Sequence, residues 1–302
     1  MIDEVEKLTK LPDFKGYIHD IGGPTANFRH AACEKQKKLG ACPDRKCLFP
    51  KPCPNLNADH SEYVHLLERA SAVKGVKRVF IRSGIRFDYM LADRKNDFFK
   101  RLVSEHTSGQ LKVAPEHCSD NVLKYMGKPS VSVYKKFSDE FYRLSAACGK
   151  EQYLVPYLMS SHPGATLDDA IELALFLKHN GQRPEQVQDF YPTPGTASTC
   201  MYHTSIDPFT GKSVFVEKTY TGKKLQRALL QYYKKENQPL IRDALMKCGR
   251  SDLIGNGNDC LVPPAFVPHG KKPVGNDRYA ARKNTVSKGG KRPDSKKNNR
   301  RG

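Results

Sequence analysis

Four cysteines, Cys33, Cys42, Cys47 and Cys53, fall within twenty-one residues in the spacing C-x8-C-x4-C-x5-C, with Pro43, Pro50, Pro52 and Pro54 among them. Thiolates this close in sequence can hold tetrahedral zinc or an auxiliary iron–sulfur cluster. No interval is the two-residue spacing of a zinc knuckle, so thiols buried in a loop folded over the rest of the chain are an equal reading. A second concentration of reactive groups is Glu116-His117-Cys118. It sets an acid, an imidazole and a thiol side by side and makes these three the candidate catalytic residues. The scattered Cys148, Cys200, Cys248 and Cys260 read as packing residues, Cys148 at an apolar helical position.

These groups need elements to position them. Short β-rich runs at residues 16–21, 78–83, 110–114, 153–159 and 186–190 alternate with amphipathic helical patterns. Ser61 is placed to cap a helix ended by Gly75, and residues 96–106 put Phe98, Phe99, Leu102 and Val103 on one face. Val133, Phe137, Phe141, Leu144 and Cys148 recur at helical intervals before Gly149, and Thr166 with Asp169 forms a capping-box pattern for a helix stopped by Gly181. Strands separated by helices of this length pair in parallel, and parallel α/β sheets put their sites at the carboxyl ends of strands. Those ends read Asp20-Ile21-Gly22-Gly23-Pro24, Arg82-Ser83-Gly84-Ile85-Arg86, Pro115-Glu116-His117-Cys118-Ser119, Ser160-Ser161-His162-Pro163-Gly164 and Tyr191-Pro192-Thr193-Pro194-Gly195. Any one is an ordinary strand-to-helix turn; together they describe a polar rim. After residue 200 the alternation stops and a helical pair follows, with Leu225, Ala228 and Leu229 on the first helix and Pro239 opening the second.

The charge is uneven. Of a net +19 over 302 residues, residues 271–302 supply +10, from twelve Lys or Arg against Asp277 and Asp294. This segment has almost nothing to bury and reads as a disordered basic tail over residues 269–302. Its functional reading is salt-sensitive attachment to RNA, although Tyr279 is its only aromatic residue. Mean hydropathy is −0.64, and no apolar run approaches the ~18 residues of a membrane span. The opening residues carry no export signal. A membrane protein is excluded on this reading and a cytoplasmic one expected, in which an odd count of nine cysteines is not a disulfide framework.

The rim segments, in this order, resemble the second to sixth strands of a radical S-adenosylmethionine enzyme. Asp20-Ile21-Gly22-Gly23-Pro24-Thr25 resembles the glycine pair whose backbone binds the methionine amino group, and residues 119–128 resemble the segment after the fourth strand of methylthiotransferase-like members. Residues 163–169 and 191–196 are similar to the turns after the fifth and sixth strands. The stretches beginning at Asp20, Cys47, Arg78, Leu111 and Asp189 narrow the resemblance to the YgiQ-type radical SAM family, over roughly residues 1–265.

The resemblance implies an α/β fold: a partial (βα)6 barrel over residues 1–200 missing its first strand, a small helical C-terminal extension over 201–268, and the tail. It implies S-adenosylmethionine and a [4Fe-4S] cluster as cofactors, and reductive cleavage of the former as the activity. Gly22, Gly23 and Pro24 would approach the cofactor through the backbone. Arg82 and Arg86 would offer bidentate forks to its carboxylate, with a rim salt bridge as the plain alternative for each. Ser83, Glu116 or Ser119 would bond the ribose, and Ser160, His162, Gly164 and Tyr191 would line the adenine. The family's CxxxCxxC cluster loop is absent from this sequence, so the resemblance implies cluster ligands in an upstream segment or companion chain. The alternatives are a nucleic-acid-binding module that lost radical chemistry, or an inactive remnant with an unpaired sheet edge.

Overall fold

Each of the five β-rich runs contributes a parallel strand in the computed structural model of the chain, which describes residues 1–23, 25–95, 97–185 and 187–265. Strand β1 (Tyr17–Ile18) pairs with β2 (Arg78–Val79), and β3 (Gln110–Glu116), β4 (Tyr153–Ser160) and β5 (Gln188–Asp189) pair in that order. Backbone bonds carry the first pair beyond its two residues: Phe80 N donates to Ile18 O and Ile21 N to Phe80 O, both at 2.9 Å. Lys112 N donates to Arg82 O at 3.2 Å and joins the two sheets at β2 and β3. Within each sheet the parallel pairing puts the carboxyl ends of the strands on a single edge. Pro24 and the basic segment 269–302 lie outside the described residues.

Helices α1 (Ile2–Leu8) and α2 (Glu34–Leu39) come early, and α3 (Ser61–Ala72) precedes β2. Between β2 and β3 lie α4 (Phe87–Ala92) and α5 (Asp97–Arg101), the latter running into a π-helical turn over Leu102–His106. Then come α6 (Asp120–Met126), α7 (Val131–Ala147), α8 (Leu167–His179), α9 (Ala197–Thr204), α10 (Tyr220–Leu230) and α11 (Gln238–Lys247).

The apolar spacing of α7 buries Tyr134, Phe137, Phe141 and Leu144, and Phe137 stacks on Phe99 at 5.2 Å. Helix α8 opens with the capping box read from Thr166 and Asp169. Ser61 does not cap α3. It is the first helical residue, and its N–H and hydroxyl donate to Asp59 Oδ1 at 2.9 and 2.6 Å, because a carboxylate is the stronger acceptor. Cys148 is also not a packing residue: it stands exposed at the end of α7, as does Cys200 on α9, since the apolar face of α7 closes at Leu144.

Two cores result. One joins β1, β2 and β3 to α1, α3, α5 and α7. In the other, Leu225, Leu229, Ile241 and Leu245 of α10 and α11 pack on Ala170, Ile171 and Ala174 of α8. The helical extension therefore shares its core with α8, and residues 1–265 form one unit. Among the described residues between Ile21 and α3 the only helix or strand is α2; that stretch is anchored by the buried Asn27, which bonds His60 and Arg86 O at 3.2 Å, by His30 with Asp59 O at 2.8 Å, and by a small cluster of Leu48, Ala58 and Tyr89.

Candidate functional site

The ends of β1 and β2 are tied together by one carboxylate. Asp20 Oδ1 accepts from Gly22 N at 2.8 Å and Arg82 N at 3.0 Å, while Oδ2 accepts from Ser83 N at 3.2 Å and from the Ser83 hydroxyl. Burial pushes this carboxyl upward, but the bonds from Ser83, Arg82 and Gly22 outweigh it and hold the group below the usual carboxylate value. Gly22 is required by this arrangement: an added Cβ would lie 2.6 Å from Asp20 Oδ1 and 3.1 Å from Ser83 O. At Gly23 a Cβ would meet only Ala26, at 3.9 Å, so that backbone remains approachable.

The two arginines part company. Arg86 is held by Asp88 through Nε and Nη2 at 2.9 and 2.6 Å, the rim salt bridge. Arg82 is exposed and makes no ion pair among the described residues.

After β3 the chain turns sharply. Glu116 takes φ 68° and, at the corresponding end of β4, Ser161 takes φ 59°. Side chains seldom adopt this region, and residues held there cluster at functional sites. Glu116 pairs with Lys128, whose Nζ lies 3.4 Å from Oε1 and 2.5 Å from Ala114 O. Burial draws the Lys128 ammonium below its ordinary value, opposed by Glu116.

His117 is buried, and its Nδ1 accepts from Ser119 N at 3.0 Å, so the ring proton sits on Nε2. Burial brings its pKa down to about 4 and keeps the ring neutral. Cys118 does not face the rim. It packs with Leu158, Leu173, Leu177 and Leu230, and burial drives its thiol far above the ordinary range. Ser119 is buried as well, and its hydroxyl donates to Asp169 Oδ1 at 2.6 Å. Asn121 donates to Asp169 Oδ2 at 3.3 Å and to Gly164 O at 3.2 Å, linking the third and fourth strand ends.

The fourth and fifth ends meet through Ser160, whose hydroxyl donates to Asp189 Oδ1 at 2.5 Å. His162 shares a hydrogen bond with Ser198 Oγ at 2.9 Å and meets the Phe190 ring edge-on at 5.0 Å. Burial lowers its pKa to about 4, against the Pro163 carbonyl. Gly164 has φ +92°, and a Cβ there would fall 2.2 Å from the Tyr125 ring. Tyr191 is 83% exposed.

Sequence reasoning did not single out Ser161. Its N–H donates to Gln226 Oε1 at 2.9 Å, yet its hydroxyl is buried without a partner among the described residues. Asp20 was named in its rim segment and Lys128 at the end of the segment 119–128, but neither was singled out as a site residue.

The four-cysteine segment lies near this edge. Cys53 N donates to Cys47 O at 2.8 Å, and all four cysteines are half-buried and free. Burial first, then the proximity of Cys53, Cys33 and Cys42, raises the Cys47 thiol. Among the described residues no three potential ligands are already in coordinating positions. Cys47 lines a cavity of about 360 Å³ with Phe28, Lys46, Phe49, Arg86 and Tyr89.

A domain of unknown function, DUF3362, matches residues 185–301. A UPF0313 protein of Clostridium perfringens (strain 13 / Type A) is 56% identical over 262 residues, covering 87% of this chain and 40% of that protein. A UPF0313 protein of Clostridium botulinum (strain Okra / Type B1) is 55% identical over 263 residues, 87% of this chain and 41% of its own length. The chain thus spans about 40% of the length of the curated relatives it matches. UPF0313 is the designation of the YgiQ family, so the relatives' name agrees with the resemblance read from the sequence. No helix of the described residues is long and apolar enough to cross a membrane.

Proposed function

We propose that this chain is the S-adenosylmethionine-binding part of a YgiQ-type radical SAM enzyme, built as a partial (βα)6 barrel. Five parallel strands in sequence order support the barrel. The observation that carries the cofactor reading is the Asp20 node, which ties the backbone of Gly22 to the backbone of Arg82, an exposed residue whose side chain makes no ion pair among the described residues. An amino-acid end fits this pair: backbone oxygens accept from its ammonium and the arginine fork meets its carboxylate. The half-open Glu116 offers a further polar contact. Together with its iron–sulfur cluster, S-adenosylmethionine would supply a carbon-centred radical. The described residues and this sequence contain no CxxxCxxC set, so they do not fit the cluster itself, and its ligands are assigned to another segment or chain.

The test joins this chain to the N-terminal part of a UPF0313 relative and reconstitutes it anaerobically with iron and sulfide. With S-adenosylmethionine and dithionite it is expected to form 5′-deoxyadenosine, measured by mass spectrometry. Arg82→Gln should weaken cofactor binding at least tenfold at unchanged iron content. A reconstituted protein with full cluster absorbance but no 5′-deoxyadenosine would end the proposal.

A further inference from the structure

We propose that the cavity of about 360 Å³ lined by Phe28, Phe49, Tyr89, Lys46 and Arg86 is a binding site for a small planar aromatic anion. The site uses none of Gly22, Gly23 and Arg82, so it does not rest on the cofactor reading above. Size is the first observation. An apolar cavity of about 150 Å³ takes a single benzene ring, and small-molecule sites begin at about 300 Å³. A cavity of about 360 Å³ therefore suits two fused rings bearing one small substituent.

The walls are apolar and fixed in advance. Phe28 stands edge-on to Tyr89 with ring centroids 4.7 Å apart. Tyr89 is buried against the His60 ring at 4.9 Å, and its hydroxyl donates to Asn57 O at 3.0 Å. The fully buried Asn27 holds the Arg86 carbonyl at 3.2 Å. Phe28 nevertheless stays 37% exposed. Rings held in this way offer stacking and edge contacts to a flat ligand at little conformational cost.

Charge decides the polar end of the ligand. Two cations, Lys46 and Arg86, line the cavity, and among the described residues no Asp or Glu does. Arg86 is already matched by Asp88, through Nε and Nη2 at 2.9 and 2.6 Å. Lys46 is not. Its ammonium lies 4.8 Å from the Phe209 ring centroid and 5.6 Å from that of Phe49, with no carboxylate partner among the described residues. Gly127 leaves it room, since a Cβ there would fall 2.6 Å from Nζ. A carboxylate, sulfonate or phosphate on the ligand completes a charge-assisted pair with Lys46. Three rings can also cage a quaternary ammonium, but here the uncompensated charge of Lys46 opposes that occupant.

The full chain is titrated against 2-naphthoate, 2-naphthalenemethanol and (2-naphthylmethyl)trimethylammonium. Binding is followed by the anisotropy of naphthalene emission, which no Trp of this chain overlaps. Expected are saturable binding of the carboxylate, at least tenfold tighter than the alcohol, and no measurable binding of the ammonium. Bound carboxylate should protect Cys47, which lines the cavity, from alkylation, while Cys200 on exposed α9 reacts as before. Lys46→Met should bring the carboxylate to the alcohol's affinity and leave the alcohol's unchanged; Lys46→Arg should keep most of the preference. Absence of carboxylate binding up to about 1 mM, equal affinity for carboxylate and alcohol, tighter binding of the ammonium, or a Cys47 that stays fully reactive overturns the proposal. The probe and alkylation readings need only the unmodified chain, so a misfolded variant cannot obscure them, and they are independent of whether 5′-deoxyadenosine is formed.

Discussion

Asp20 gathers two strand ends with one side chain, and the histidines further along the rim are held by the opposite means, through exclusion of water. His117 and His162 both have pKa values brought to about 4 by burial, against about 6.5 in an unfolded chain. Between those values the unfolded state binds protons that the folded state does not. Stability is therefore complete above pH 6.5 and falls as pH drops toward 4, by roughly 3 kcal/mol for each histidine at most. Thermal denaturation between pH 7.5 and 5 should show this decline, and a His117→Gln, His162→Gln chain should show a flatter one. An equally steep decline in that variant would mean that other groups take up the protons. At this scale the sequence was legible in position: Gly22, Arg82 and Ser83 stand together around Asp20 as a strand-end pattern predicts. It was not legible for Ser119, whose hydroxyl is taken by Asp169 fifty residues away, nor for Cys118, whose burial depends on leucines from β4, α8 and α10. No spacing rule reaches that far.

The turn from β4 into α8 concentrates the constraints on a single connection. Ser161 adopts a left-handed backbone, Gly164 adopts φ +92° against the Tyr125 ring, and Gln226 of α10 reaches in to bond Ser161 N and Ala165 O at 2.9 and 3.0 Å. Gly164→Ala meets both a disfavoured φ and a 2.2 Å approach, so it should cost at least about 2 kcal/mol. Gln226→Leu keeps the volume but leaves a buried N–H and C=O unpaired, with an expected cost of about 2–3 kcal/mol. Urea unfolding followed by circular dichroism checks both, and a loss under about 0.5 kcal/mol in either would show that the turn relaxes freely. The capping box at Thr166 and Asp169 was readable because its two residues are three apart. Helices α4 and α6 were not, because six or seven residues span too few turns to display a period. The role of α10 in closing the β4 turn was hidden for another reason: its amphipathic pattern marks the leucines, whereas Gln226 acts through a polar tip.

Across the whole chain the charge is divided as sharply as the packing, with +10 of +19 in residues 271–302. The DUF3362 match runs from residue 185 to 301, so it takes in both the helices packed on α8 and this basic segment. If the segment attaches the protein to RNA, the attachment is by counterion release and must weaken linearly in log affinity against log salt, by about 0.7 per phosphate on a single strand. Twelve cations contacting twelve phosphates set an upper bound of roughly 8 on that slope. A chain ending at residue 268 should then lose most of its affinity for a mixed-sequence RNA at 50 mM salt and nearly all of its slope, with an unchanged melting temperature because residues 1–265 hold their own core. Fluorescence anisotropy at several salt concentrations measures both quantities. A slope that survives the deletion would transfer the cationic surface to residues 1–268, where the remaining charge is near +9 and where Arg82, unpaired at the strand ends, would be the first residue to test.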